Sequence, residues 1–245
     1  CNAPDWHKSV TRGAEEPLRP NWLTPVVNGL AERVMQGIND SAAANSVNLT
    51  ALALLSSEHH ALTKEELLAQ LEVYLGVLKE VPYSTDISVP KETPEELWQQ
   101  ALRTDKFKVE SDTMGEVISL ERMSAIAMTY YRNNILHMMV VPGIIASIIM
   151  AKKRVSVDEI VERTQAIYPM LKAELYLSHT AEDIPLWVEA LCEELARQQL
   201  ITREGSDCVI AKRESAQWYR LRLLANSASE TLQRYCIVLE LLQQA

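Results

Sequence analysis

Apolar residues recur at helical spacing along most of this chain, and the runs differ in how many helix faces they cover. Leu30, Val34 and Ile38 lie four apart, which predicts an amphipathic helix starting near Trp22 and ending at Asn39-Asp40-Ser41. Pro25 falls in its first turn, where a missing amide hydrogen does no harm. Between Ala42 and Leu55, the crowding of Leu49, Leu52, Ala53, Leu54 and Leu55 predicts a largely buried helix. Ile135 to Met150 is apolar all round but holds only about 16 residues against the roughly 20 that span a bilayer. With His137, Pro142 and Gly143 inside it, the run reads as a core helix bent at Pro142, and docking at a bilayer surface is the alternative.

From Thr63 onward the pattern repeats. Thr63-x-x-Glu66 and Ser156-x-x-Glu159 are both capping-box sequences, in which hydroxyl and carboxylate satisfy free amides at a helix start. Leu67, Leu71, Tyr74, Leu75 and Leu78-Lys79 then stand where Ile160, Thr164, Ile167, Tyr168 and Leu171-Lys172 stand in the second copy. A second helix is predicted to begin at Thr93-Pro94-Glu95-Glu96 and at Asp183-Ile184-Pro185, each with a capping residue and an early proline. Phe107-Lys108-Val109 with Val117-Ile118-Ser119, and Leu200-Ile201-Thr202 with Cys208-Val209-Ile210, suit short β-hairpins. Ala125 to Met150 and Trp218 to Leu242 are the expected closing helices. The fold class is therefore mainly α, a helical domain built from two weakly repeated winged-helix-like units with short β-hairpins. The expected division is a linker or tail at 1–20, a helical pair at 21–62, a first unit at 63–150 and a second at 151–245.

Composition agrees with helix: seven glycines, one Phe and 47% hydrophobic residues argue against disorder and against extensive sheet. A net charge of −9 repels phosphate backbones, and the second helices carry Glu95, Glu96, Glu189, Glu193 and Glu194, so no nucleic-acid partner is expected. Lys152-Lys153-Arg154 reads as a solvated link after the apolar helix, with a contact to anionic lipid headgroups as the weaker alternative, because stable electrostatic anchoring uses longer basic clusters. Cys1, Cys192, Cys208 and Cys236 form no Cys-x-x-Cys pair and read as reduced, small buried apolar residues. His179, Glu182 and Asp183 have a spacing open to a metal, but a cap at Asp183 is the simpler reading, and His59-His60 reads as surface.

The chemistry-bearing run with the most to explain is Tyr130, Tyr131, Arg132, Asn133 and Asn134, polar residues inside an apolar helical stretch. It is expected to be either a satisfied polar layer that fixes helix packing or an interdomain contact. Arg132 needs a carboxylate or carbonyl partner, and Asp86 or Asp112 in neighbouring loops is the expected one.

Met128 to His137, Val81-Pro82-Tyr83-Ser84-Thr85-Asp86, Tyr168 to Leu175 and Glu230 to Tyr235 together resemble the C-terminal region of bacterial membrane-associated glycerol-3-phosphate acyltransferases. The resemblance runs from about Arg19 to the last residue. It implies an enzyme that moves a fatty acyl group from acyl carrier protein or coenzyme A to position 1 of glycerol 3-phosphate, the first step of phospholipid synthesis. It also implies an upstream catalytic domain as partner, acyl carrier protein as a second candidate partner, and a parent protein held peripherally at the cytoplasmic face of the inner membrane. That family works through a His-x-x-x-x-Asp motif, and none is present. His7, His59, His60, His137 and His179 are followed five residues on by Arg12, Lys64, Glu65, Pro142 and Ile184. No catalytic, cofactor-binding or metal-ligating residue is therefore expected here, and the isolated chain should be inactive. The alternative is a stand-alone winged-helix-like adaptor for a protein partner. Leu232, Tyr235, Cys236, Leu239 and Leu242 keep helical spacing to the end with no Gly or Pro stop, which reads as a helix cut from a longer polypeptide.

Overall fold

The computed structural model describes residues 20–113 and 115–243, and ten α-helices carry most of them. The expected linker at 1–20, Pro20 apart, lies outside the described residues, as does Cys1. In order the chain forms α1 (Leu23–Asp40), α2 (Ser46–Leu55), β1 (Ala61–Thr63), α3 (Lys64–Glu80), α4 (Pro94–Leu102), β2 (Lys108–Asp112) and β3 (Gly115–Ser119). It continues as α5 (Arg122–Asn133), α6 (Leu136–Lys152), β4 (Arg154–Ser156), α7 (Val157–Leu175), α8 (Ile184–Arg197), β5 (Ile201–Glu204), β6 (Asp207–Ile210), α9 (Ala216–Asn226) and α10 (Ser229–Gln243). The fold is mainly α, as the composition implied.

Each expected hairpin is one edge of a three-stranded antiparallel sheet, ordered β1-β3-β2 in one case and β4-β6-β5 in the other. The third strands, β1 and β4, are only three residues long and run directly into a helix, so their caps concealed them. Thr63 is both the last residue of β1 and the cap of α3. Its hydroxyl accepts from the Glu66 amide while Glu66 Oε2 accepts from the Thr63 amide at 2.9 Å, a complete capping box. Thr93 and Glu96 make another at α4. Ser156 does only half as much: it caps the Glu159 amide, but the Glu159 carboxylate is taken by Lys152 at 3.0 Å and Arg163 at 2.8 Å. Asp183 does not cap α8 at all, because its Oδ2 turns back to the amide and hydroxyl of Thr180.

Both closing helices are broken, contrary to expectation. α5 and α6 meet at 96°, with the turn at Asn134 and Ile135, and α6 then runs through Pro142 without a break. Asn residues favour helix ends because their side chains compete for backbone hydrogen bonds. The last helix breaks at Ser227 and Ala228, which are buried against α6. No single helix among the described residues is long and apolar enough to cross a membrane. The basic run is not a free patch either: Lys152 pairs with Glu159, and Arg154 opens β4 with ion pairs to Glu204 and Asp207 at 2.7 Å.

The apolar residues form one continuous core around α6, which packs against α5, α7, α8, α9, β4 and β6. Gly143 lets α9 come close. A Cβ there would lie 2.6 Å from Ser227 Oγ and 3.0 Å from the Leu224 carbonyl oxygen. Gly143→Ala should gain about 1 kcal/mol of helix propensity yet lose more to overpacking, for a net destabilisation of about 1–2 kcal/mol in urea unfolding. A variant as stable as the parent would show that this crossing is loose.

Candidate interaction site

The polar groups of the four separated runs meet in space and form a chain of contacts around the ends of α1, α5, α7 and α10. Arg132, 6% exposed at the end of α5, donates Nη2 to Glu230 Oε2 on α10 at 2.7 Å and to Asn133 Oδ1 at 3.1 Å. Its partner is thus Glu230 rather than Asp86, and the Asp112 side chain lies outside the described residues. The hydrogen bond from Arg132 holds the Glu230 carboxyl below its ordinary pKa. One helical turn further on, Arg234 Nη2 and Tyr235 Oη both donate to the Glu174 carboxylate of α7 at 2.5 Å.

α7 in turn grips the loop that follows it. Tyr168 Oη and Lys172 Nζ donate to the His179 carbonyl at 3.0 and 2.7 Å. The His179 ring stacks on Trp187 with centroids 4.2 Å apart, and Tyr83 meets it edge-on at 5.2 Å. Tyr83 Oη accepts from the Ser178 amide at 2.8 Å, and the same ring abuts His137 at 5.1 Å. His137 Nε2 lies 3.1 Å from the Asn39 carbonyl, so that nitrogen carries the proton, and Asn39 Nδ2 donates to the Leu175 carbonyl at 2.7 Å. Burial pushes the His137 pKa down to about 4 and lowers that of His179 as well.

Of the five-residue polar run, only Arg132 is buried, with Asn133 as its neighbour. Tyr130, Tyr131, Asn133 and Asn134 are exposed, Tyr130 by 73%. His179 and Asp183 are spent on Trp187 and Thr180, and no group of three or more His, Cys, Asp or Glu among the described residues could hold a metal ion. His59 and His60 lie in a 3₁₀ turn at positive φ rather than on a regular helix, and His60 is half-buried. Cys236 is exposed, whereas Cys192 and Cys208 are buried.

A feature the sequence reading missed is on α1. Its stripe is present as expected, but no residue of the helix is buried: Leu30 is 61% exposed and Ile38 56%. Ile237, Leu241 and Leu242 on α10 are also exposed.

Set against known families, residues 2–245 match the model of the glycerol-3-phosphate acyltransferase C-terminal region. The chain belongs to that family. This acyltransferase region is also similar to the glycerol-3-phosphate acyltransferase of Aeromonas hydrophila subsp. hydrophila, with 47% identity over 239 residues. The alignment covers 97% of the chain but 29% of the relative, so the chain spans less than a third of that protein's length.

Two measurements probe the contacts. Glu230→Ala strands a buried guanidinium with Asn133 as its remaining acceptor and should cost about 3 kcal/mol. Arg132→Met removes the buried charge itself, leaves Glu230 in water and should cost about 1 kcal/mol. Equal losses in denaturant titration would contradict the burial asymmetry.

His137 makes stability depend on pH. Its folded pKa lies below the unfolded value near 6.5, so the unfolded chain takes up the proton first and stability falls as pH drops from about 6.5 towards 4. The shift corresponds to about 3 kcal/mol. His137→Gln should flatten the dependence of unfolding free energy on pH across that window, and an unchanged slope would count against a neutral buried imidazole.

Proposed function

We propose that this chain is the non-catalytic helical companion of the acyl-transferring part of a glycerol-3-phosphate 1-O-acyltransferase. The observation that carries the reading is α1, an amphipathic helix whose apolar stripe finds no cover within the described residues. Such a stripe is stable in water only at a cost and marks a surface built for another protein body. The remaining length of the relative supplies a candidate: the acyl-transferring domain of the same polypeptide.

In this reading the domain transfers a fatty acyl group from acyl carrier protein or coenzyme A to position 1 of sn-glycerol 3-phosphate, opening phospholipid synthesis. The reacting groups come from that domain, which would supply the His-x-x-x-x-Asp pair as general base and its orienting carboxylate. This chain braces it, with Tyr130 and Tyr131 on the exposed end of α5 as the interdomain contact and Arg132 as the anchor behind them. Acyl carrier protein is a second candidate partner. Attachment to the cytoplasmic face of the inner membrane is peripheral and belongs to the parent protein. The acidic second helices α4 and α8 support protein packing over nucleic acid. A division at 63–150 and 151–245 into two winged-helix-like units is supported by the repeated strand order.

The test supplies the acyl-transferring part and this chain as separate polypeptides. The isolated chain should give no acyl transfer, should bind the other part, and should lose binding at least tenfold, or about 1.4 kcal/mol, when Leu30→Asp and Val34→Asp are combined. Turnover by the pure chain would overturn the non-catalytic reading. Failure of the two parts to associate would favour the stand-alone adaptor.

A further inference from the structure

Along α3 runs a groove whose two ends differ in chemistry. Its first basin, of about 440 Å³, lies between the start of α3 and α9, where Ala61, Leu62, Ala69, Ala216 and Leu223 give it short apolar walls. The second, of about 610 Å³, lies beside the later turns of α3, the start of α4 and the end of α8. Ala69 and Arg220 line both, so the two are continuous, and between Glu65 and Lys79 the groove follows α3 for about 20 Å. Charge is spread unevenly along it. In the first basin Arg222 is paired with Glu58, Glu66 is turned back to Thr63, and the exposed carboxylate of Glu65 repels an anion. The second basin holds Lys79, Lys91, Arg197 and Arg220. Arg197 is taken by Glu194 at 2.7 Å and faces Glu80 at 3.7 Å, whereas Lys79, Lys91 and Arg220 make no ion pair among the described residues. Of the other carboxylates in this basin, Glu92 accepts from Gln100 at 3.2 Å and Glu72 is exposed.

We propose that this groove binds a single-chain lipid phosphate, with its hydrocarbon chain in the first basin and its phosphate on Arg220. Small-molecule sites are concavities of this size, mostly apolar, with a few placed polar groups that fix orientation. The first basin has room for a chain because the walls where α3 and α9 face each other are built from alanines, and each methylene taken out of water there favours binding. Arg220 stands half-buried at the junction of the basins, where its planar fork of donors suits a phosphate. Lys79 and Lys91 lie beyond it and make that end of the groove positive in a chain whose net charge is −9, while Glu65 keeps the head from seating at the other end. A cationic head would meet the same free cations and be turned away. The product of the acyl transfer proposed above has this make-up, but so has any single-chain phosphate, and the site stands without that reaction.

In the experiment, dodecyl phosphate, kept below its micelle concentration, is titrated into the full 245-residue chain and followed by calorimetry. Saturable binding at one site per chain is expected, at least about tenfold weaker for octyl phosphate, which has fewer methylenes to bury, and weaker again for inorganic phosphate. Arg220→Gln should weaken dodecyl phosphate at least about tenfold by removing charged hydrogen bonds to the head. Ala69→Phe, which fills the passage between the basins, should weaken it as much. Urea unfolding checks that each variant is folded, and Ala216→Phe replaces Ala69→Phe where the latter does not fold. Absence of saturable binding overturns the proposal. So does equal affinity for dodecyltrimethylammonium or for inorganic phosphate, or an affinity unchanged in folded Arg220→Gln or in the folded Phe variant. Binding that disappears when Leu30→Asp and Val34→Asp are combined also overturns it, because the amphiphile then sits on the α1 stripe.

Discussion

A helix that is apolar on every side has no face to give to water, and α6 is that helix here. Once Leu136–Lys152 forms, other elements must enclose it, and α5, α7, α8, α9, β4 and β6 do so. Its polar residues confirm the constraint by their positions. His137 sits at the entrance against the Asn39 carbonyl, Lys152 at the exit against Glu159, and Ser147 in the middle bonds back to the Gly143 carbonyl at 2.8 Å. Gly143 and Ser147 face α9, the closest neighbour, and Ser147 Oγ also reaches the Ala225 carbonyl at 3.2 Å. The rest of the fold is a set of answers to how one such rod can be covered.

Hydrophobic burial is not directional, so it encloses α6 without choosing a register for what lies around it. The choice comes from hydrogen bonds between elements far apart in sequence. Asn226 Nδ2 donates to the Ser56 carbonyl at 2.8 Å and Arg132 to Glu230, so α9 and α10 are tied to the end of α2 and to α5. Sliding any of these helices by one turn would keep most of the apolar contact but leave a buried polar group unpaired, at a cost of about 1–3 kcal/mol per group. The contacts around Tyr83, His137 and His179 act the same way where α1, α6 and α8 approach one another.

How much of this the sequence disclosed follows from range. Signals confined to one turn were legible: the Thr63 and Glu66 box, the early prolines at Pro94 and Pro185, the apolar density of Leu49 to Leu55. The repeat was legible too, because its offset is constant. What escaped needed either a competing local partner that spacing alone does not rank or a partner from far along the chain. Asp183 looks like a cap until Thr180 claims it, and Ser156 looks like a full box until Lys152 and Arg163 take Glu159. β1 and β4 exist only because β3 and β6 lie beside them. Glu230, which satisfies Arg132, is an ordinary acidic residue in the first turn of an amphipathic helix, with nothing local to mark it. The break at Asn134 has a weak local signal in Asn133-Asn134, whereas the break at Ser227 has no proline or glycine to mark it and lies where Ser227 and Ala228 are buried against α6.

The exposed stripe of α1 gains its meaning from how the helix is held. Its last turn is fastened: Asn39 donates to the Leu175 and Tyr176 carbonyls at 2.7 and 3.3 Å and accepts from His137. Tyr176 itself lies at positive φ, a conformation that costs a non-glycine residue about 1–2 kcal/mol and turns the end of α7 towards Asn39. The direction of α1 is thus set by this chain before anything covers Leu30 and Val34. A partner meeting a helix already aimed does not have to order it on binding, which leaves more of the buried apolar area available as affinity. Strain at Tyr176, three hydrogen bonds at Asn39 and a buried neutral His137 thus fix one end of a helix whose apolar stripe finds no cover among the described residues, which is the feature the proposed docking of another protein body would use.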